Sequence, residues 1–170
     1  MLEKEVIKYI EKIKGKRVSC IGRASNMLWL GFGDEFFTKN RKGETVKKSE
    51  ISLHVQSVWR VINKEKMQLL FAFQDFYTPN DMLKENEGFD WEVQGNNLFD
   101  SKAHLWLDNN LIYVNDFMLN ELGDLILIFS DGSQLEVFIS SSDDTECWRL
   151  FKSCSNDAHL VVTGMGVEFE

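Results

Sequence analysis

The segment Ile51–Ile62, ISLHVQSVWRVI, alternates at period two over its whole length, which commits this part of the chain to β-structure with one buried face. Ile51, Leu53, Val55, Trp59 and Val61 fall on one side, with Ser57 the single polar member. Ser52, His54, Gln56 and Arg60 share the other side with Val58 and Ile62. Read as one continuous strand, this segment needs a core on one face and presents a mixed face on the other. The stretch Gly123–Phe138, GDLILIFSDGSQLEVF, predicts a hairpin whose two apolar-rich arms are joined by Ser130–Asp131–Gly132–Ser133. Leu125–Phe129 is apolar at every position, so that arm is expected to be central and covered on both sides. Leu135, Val137 and Ile139 alternate with Gln134 and Glu136, so the partner arm is expected to be half exposed.

More β-structure is expected on either side. Arg17–Arg23 and Gly22–Gly33 meet at a Ser25–Asn26 turn, and Asn40–Glu44 makes a second turn around Gly43. Met67–Phe73 and Leu111–Leu119 are strand-like, and His159–Phe169 closes as a strand pair around Gly164 and Gly166. Helical spacing appears at two places. Leu2, Val6, Tyr9, Ile10 and Ile13 repeat at three and four residues, with Gly15 as the stop. Asn97 is the N-cap of Leu98–Asp108, where Phe99, Ala103 and Trp106 make the apolar stripe. A short helix over 81–87, ended by Gly88, is also predicted. The expected class is α+β: mostly antiparallel sheet or sheets, an N-terminal helix and one central helix, in a single domain over 1–170.

Charge is divided along the chain. Residues 1–60 carry a net +6 and residues 61–170 a net −14, which together give the −8 of the whole. Such a dipolar distribution steers charged partners. No apolar run approaches the roughly 18 residues of a membrane span. The charged amphipathic N-terminus does not read as a secretory signal. Three scattered cysteines, Cys20, Cys147 and Cys154, argue against a disulfide framework and for a reducing cytoplasm.

The catalytic options are poor. Cys147, Cys154 and His159 are spaced C-x6-C-x4-H, which matches no tight zinc pattern, so no metal is expected. A cysteine nucleophile with His54, His104 or His159 has no accompanying signature. The GMG at Gly164–Gly166 is not followed by the helix that a dinucleotide loop requires, and no cofactor is expected. The basic stretch containing Lys39, Arg41, Lys42, Lys47 and Lys48 reads as a solvated hairpin tip, so nucleic acid is not the expected partner. The acids Asp143, Asp144 and Glu146 in a Ser-rich loop read as a surface for a basic protein rather than as a hydrolytic pair. Asp131 and Glu136, on or near the hairpin turn, complete that expected protein-binding set. The pairs Trp59–Arg60 and Trp148–Arg149 place a core aromatic beside an arginine on the opposite face. Asp75 and Asp116 are the candidate carboxylate partners. A polar pocket of His54, Arg60, Asp75 and Arg149 is the alternative site.

The combination GRASNMLWLGFG, LHVQSVWRV, QDFYTP, GDLILIFSDGSQLEVF and SSDDTECWRLF, followed by HLVV, resembles a family of small uncharacterised bacterial cytoplasmic proteins from about Gly22 to Val162. The resemblance implies one compact α+β domain and carries no catalytic residue set. Some such proteins occur in toxin–immunity neighbourhoods, so it also implies immunity as an option. Asp75 and Pro79 match positions where similar proteins keep Asp and Pro. The segment here is QDFYTP rather than a more basic R-D version, which puts an anion-binding role there in doubt. Three functions therefore stand as expectations. The first is a non-enzymatic acidic module that binds a basic protein, such as an immunity protein facing a basic toxin. The second is a small-ligand module or enzyme near Arg60, Arg149 and Asp75. The third is a structural subunit that dimerises through a strand edge.

Overall fold

The computed structural model describes residues 4–82, 88–108 and 110–170. The helix predicted over 81–87 falls mainly on residues outside the described set, as does Leu2. Helix α1 (Lys4–Ile10) buries Val6 and Ile10, tightens into a 3-10 turn that buries Ile13, and turns out at Gly15, whose φ is +77°. Only glycine adopts that conformation without strain.

Strands β1 (Val18–Ala24), β2 (Met27–Lys39) and β3 (Thr45–Val55) form a meander. They join β9 (Glu146–Lys152), β10 (Leu160–Thr163) and β11 (Gly166–Phe169) in a six-stranded antiparallel sheet of order β1-β2-β3-β9-β10-β11. The second sheet contains β4 (Trp59–Asn63), β5 (Gln68–Ala72), β6 (Val114–Leu119), β7 (Leu125–Phe129) and β8 (Ser133–Val137), in the order β5-β4-β8-β7-β6. Helix α2 (Leu98–Asp108) packs on β1 and β5. The class is α+β, as the patterns imply.

Two expectations about strands are corrected. Ile51–Ile62 is not one strand. The N–H groups of Gln56 and Ser57 both donate to the carbonyl of Cys147, at 2.8 and 3.1 Å, which ends the ladder between β3 and β9. Two residues on, Phe138 N–H donates to Val58 O at 2.9 Å and opens the ladder between β4 and β8. The chain thus passes from one sheet to the other while Ile51, Leu53, Val55, Trp59 and Val61 all stay buried. The second correction concerns the hairpin. β7 does lie inside the sheet, between β8 and β6, but it alternates between buried and half-buried, whereas β8 is the middle strand and all five of its residues are buried. Gln134 and Glu136 are covered because they hydrogen-bond each other and Arg60, so apolar–polar alternation there does not mark solvent.

Inward side chains of both sheets and both helices feed one hydrophobic cluster. Its centre is aromatic. Trp59, Phe71, Phe76 and Phe99 meet edge to face with centroids 4.8–6.1 Å apart, and Trp106 extends the group to Phe129. Such pairs add to the stabilisation from burial itself. The Asn97 cap forms as expected, its Oδ1 accepting from Asp100 N–H at 3.0 Å.

Candidate functional site

Three turns gather at one end of the molecule. They are Asn120–Asp124 between β6 and β7, the loop 138–145 between β8 and β9, and the turn joining β10 to β11. Two glycines allow the approach. A Cβ on Gly164 would lie 1.9 Å from the carbonyl oxygen of Ser141, and one on Gly123 would lie 2.6 Å from Val162 Cγ1. Hydrogen bonds then fix the turns. Asp124 Oδ1 accepts from Ile139 N–H at 2.7 Å, and Asn120 Oδ1 accepts from Asp124 N–H at 2.9 Å. Asp143 accepts from the Ser141 hydroxyl and, at 2.9 Å, from Thr145 N–H. The Ser141 and Thr145 hydrogen bonds hold its carboxyl at about 2, below the usual carboxylate range. Asp143 and Asp144 are exposed and form no ion pair among the described residues. The two turns packed against this loop each expose an apolar side chain, Leu122 at 75% and Met165 at 77%.

This acidic end continues onto the outer face of the six-stranded sheet. Trp29, His54 and Arg149 are direct neighbours across β2, β3 and β9. The Trp29 ring packs against Gly22, where a Cβ would come within 2.3 Å of it. His54 meets Phe151 edge-on at 4.8 Å, and Phe151 stacks on His159 at 4.6 Å. Arg149 donates through Nε and Nη2 to Glu146, through Nη1 to His159 Nδ1 at 3.1 Å, and through Nη2 to Glu170 at 3.4 Å. Burial pushes the Glu146 carboxyl up, but hydrogen bonds from Arg149 and Gln56 outweigh it and leave the group below its ordinary value. The hydrogen bond to Glu146 in turn raises Arg149.

Burial, more than any neighbouring charge, lowers the pKa of His54. The unfolded chain therefore takes up this proton before the folded one does as pH falls. The resulting stability is complete above about 6.5 and is lost as pH drops below that value toward the folded-state pKa. His54→Phe keeps the ring contact with Phe151 and removes the titration. Its urea midpoint should fall less than the parent's between about pH 7.5 and about pH 5.5. Equal falls would contradict this reading of His54.

The structure divides the sequence-predicted residues differently from the expectation. Asp143, Asp144 and Glu146 come together, although Glu146 is bound to Arg149. Asp131 sits at the opposite end of β7 and β8, where it accepts from the indole N–H of Trp106 at 3.2 Å and from Ser133 N–H at 3.0 Å. Glu136 is buried against Arg60. Of the expected pocket, only His54 and Arg149 are neighbours. Arg60 lies on the other sheet. Asp75 accepts from Ala72 N–H at 3.0 Å and stands 3.7 Å from Lys102. The carboxylates on the two arginines are Glu136 for Arg60, and Glu146 with Glu170 for Arg149. Register decides this, because Glu136 is directly opposite Arg60 across β4 and β8. Asp116 pairs with Lys14 at 2.8 Å instead. Cys147 is in the core and Cys154 is exposed, and all three cysteines are free. Among the described residues no group of three or more His, Cys, Asp or Glu is placed to hold a metal ion, and no helix is long and apolar enough to cross a membrane. Leu122, Met165 and Trp29 were not foreseen. The sequence trace of their site is a glycine beside each exposed apolar residue, Gly123 next to Leu122 and Gly164 next to Met165.

The charge division takes a spatial form. Early cations answer several later acids, as in Arg23–Asp100, Lys14–Asp116 and Arg60–Glu136. What remains is separated along β3. At one end, residues 35–39 and 45–49 pair as strands only with each other, as a ribbon that bears Lys39, Arg41, Lys42, Lys47 and Lys48 against Glu35 and Glu44, with Lys47 held by Glu35 at 2.6 Å. At the other end, Val55 is opposite Trp148, next to Glu146 and the acidic loop. At about 3.3 Å per residue the two poles stand roughly 30 Å apart. No family model, curated protein or solved structure matches this chain.

Proposed function

We propose that the chain is a non-enzymatic, acidic protein-binding module of the cytoplasm that docks a basic partner on its acidic end, and that it acts as an immunity protein against a basic toxin such as a nuclease. One observation carries the reading. The Asp143–Asp144 loop is held by its own hydrogen bonds and is solvated, and the two turns packed against it expose the apolar side chains of Leu122 and Met165. Fixed charges at a rim accelerate encounter and select partners, while apolar and aromatic side chains inside the rim provide most of the affinity. The strip of Trp29, His54, Phe151 and Arg149 is composed like such a centre. The distant basic pole strengthens the field along β3, and that field orients an incoming cation.

The test is calorimetry and stopped-flow association with a panel of purified basic nuclease toxin domains, at low and high salt. A cognate domain should bind, with association slowing as salt shortens the screening length from about 10 Å. The double variant Asp143→Asn/Asp144→Asn should weaken binding about three- to tenfold, mainly through slower association, with unfolding midpoint little changed. Binding to no domain at low salt, or binding indifferent to both salt and the substitutions, would contradict the proposal.

A further inference from the structure

The outer face of the five-stranded sheet carries a different kind of site. Residues of β4 to β8 line an open concavity of about 540 Å³. Its wall is apolar, made by Ile62, Leu69, Met118, Ile126 and Ile128. Its floor is a polar chain on the central strands. Gln134 Nε2 donates to Glu136 Oε1 at 2.6 Å, and Arg60 Nε donates to Glu136 Oε2 at 2.5 Å. Both carboxylate oxygens are thus engaged, and the guanidinium is held through its inner nitrogen and by the Phe138 ring beneath it.

Comparison with the buried Arg23 and the half-buried Arg149 shows what is unusual. Arg23 places its nitrogens on Asp100, Ser25 O and Val93 O. Arg149 reaches Glu146, His159 and Glu170. Arg60 has Glu136 as its sole carboxylate partner among the described residues; its half-exposed guanidinium lies 5.6 Å over the Phe138 ring, at the edge of the concavity that the residue helps to line. Arg149 shows within the same molecule that one guanidinium holds two carboxylates at once. A planar fork of N–H donors fits a carboxylate in two-point contact.

We propose that this concavity binds a small amphipathic monocarboxylate, a medium-length aliphatic chain whose carboxylate sits on the outer nitrogens of Arg60. The aliphatic part lies on Ile62, Ile126 and Ile128. Glu136 already balances Arg60, so a second single negative charge is tolerated only through direct two-point bonding, and a dianion is disfavoured. Lys64 at the rim adds the one further positive charge. None of the residues lining this concavity belongs to the three turns of the acidic end, so it stands or falls separately from the protein-binding reading.

The experiment is an amide-resolved NMR titration of the full chain with octanoate, with octanol, acetate and octyl phosphate as comparison probes. Octanoate should shift amides of β4, β7 and β8 saturably. Octanol and acetate should bind at least about tenfold more weakly, since each lacks one half of the recognition, and octyl phosphate should also be weaker than octanoate. Arg60→Lys retains the charge against Glu136 but loses the fork, and should weaken octanoate about tenfold. Ile128→Ser tests the wall independently and should weaken octanoate and octanol alike. Three results would overturn the proposal: equal binding of octanol and octanoate, unsaturable shifts spread over the surface, or the same shifts produced by raising protein concentration alone. The last would make this face a contact between copies of the chain.

Discussion

Truncating Arg23 to alanine will destabilise the fold by about 3–5 kcal/mol, the range seen when one partner of a buried ion pair is removed. The Arg23 side chain is fully buried and Asp100 nearly so. Its Nε and Nη2 reach the two Asp100 oxygens at 2.8 and 3.0 Å, while Nη1 donates to Ser25 O and Nη2 to Val93 O. Asp100 also accepts from Gly95 N–H at 2.7 Å. One guanidinium therefore ties β1, the segment ahead of α2 and the first turn of α2 together. Without it, Asp100 is left as a charge with little water and three carbonyl or amide neighbours rearranged. Arg23→Met/Asp100→Leu removes both charges and should cost less than the sum of the two single changes. Urea unfolding of Arg23→Ala and of the four proteins in the cycle of Arg23→Met and Asp100→Leu is the measurement. Additive losses, or a loss under about 1 kcal/mol for Arg23→Ala, would refute the role given to this pair.

Gly164→Ala should cost about 1–3 kcal/mol, the usual penalty for inserting a methyl group where there is no room. The added carbon would stand 1.9 Å from the backbone oxygen of Ser141 and 3.0 Å from that of Asp143, so backbone rather than a flexible side-chain tip must move. The strain falls on the loop that carries the acids. As the Ser141 and Thr145 contacts to Asp143 loosen, its carboxyl should rise from about 2 toward its ordinary value of 3.8. The sign for stability follows from the lowered pKa. This group's contribution is complete above 3.8 and is lost as pH falls through about 2, so the variant should show less acid-induced loss in that window. Unchanged stability together with an unchanged Asp143 titration would show that the three turns are not packed as described.

Much of the fold was readable because period-two and period-three-to-four patterns report burial directly. Ile51–Val61 and the Phe99–Ala103–Trp106 stripe are buried as their spacing requires. Sheet membership was not readable, because the break at Gln56–Val58 depends on Cys147 O, roughly ninety residues away, capturing two N–H groups. The rank of β7 and β8 was inverted for a related reason. Alternation cannot distinguish a polar side chain facing water from one facing Arg60. The acidic loop was legible as a run of like charges without apolar residues. Its neighbours Leu122 and Met165, contributed by turns about twenty residues away on either side, were not. Asp131 and Glu136 carry the same charge as Asp143 but are engaged by Trp106 and Arg60, and only cross-strand register reveals that.

The account rests on the acidic end being the surface that meets a cationic partner. An amide-resolved NMR titration with a cognate basic nuclease domain tests this most directly. The prediction is that shifts concentrate on residues 120–124, 140–146 and 163–166 and on the adjoining Trp29, His54 and Arg149, and that they shrink as salt is raised. Shifts confined to the basic ribbon at 39–48 or to the Arg60 concavity, with the three turns silent, would contradict it.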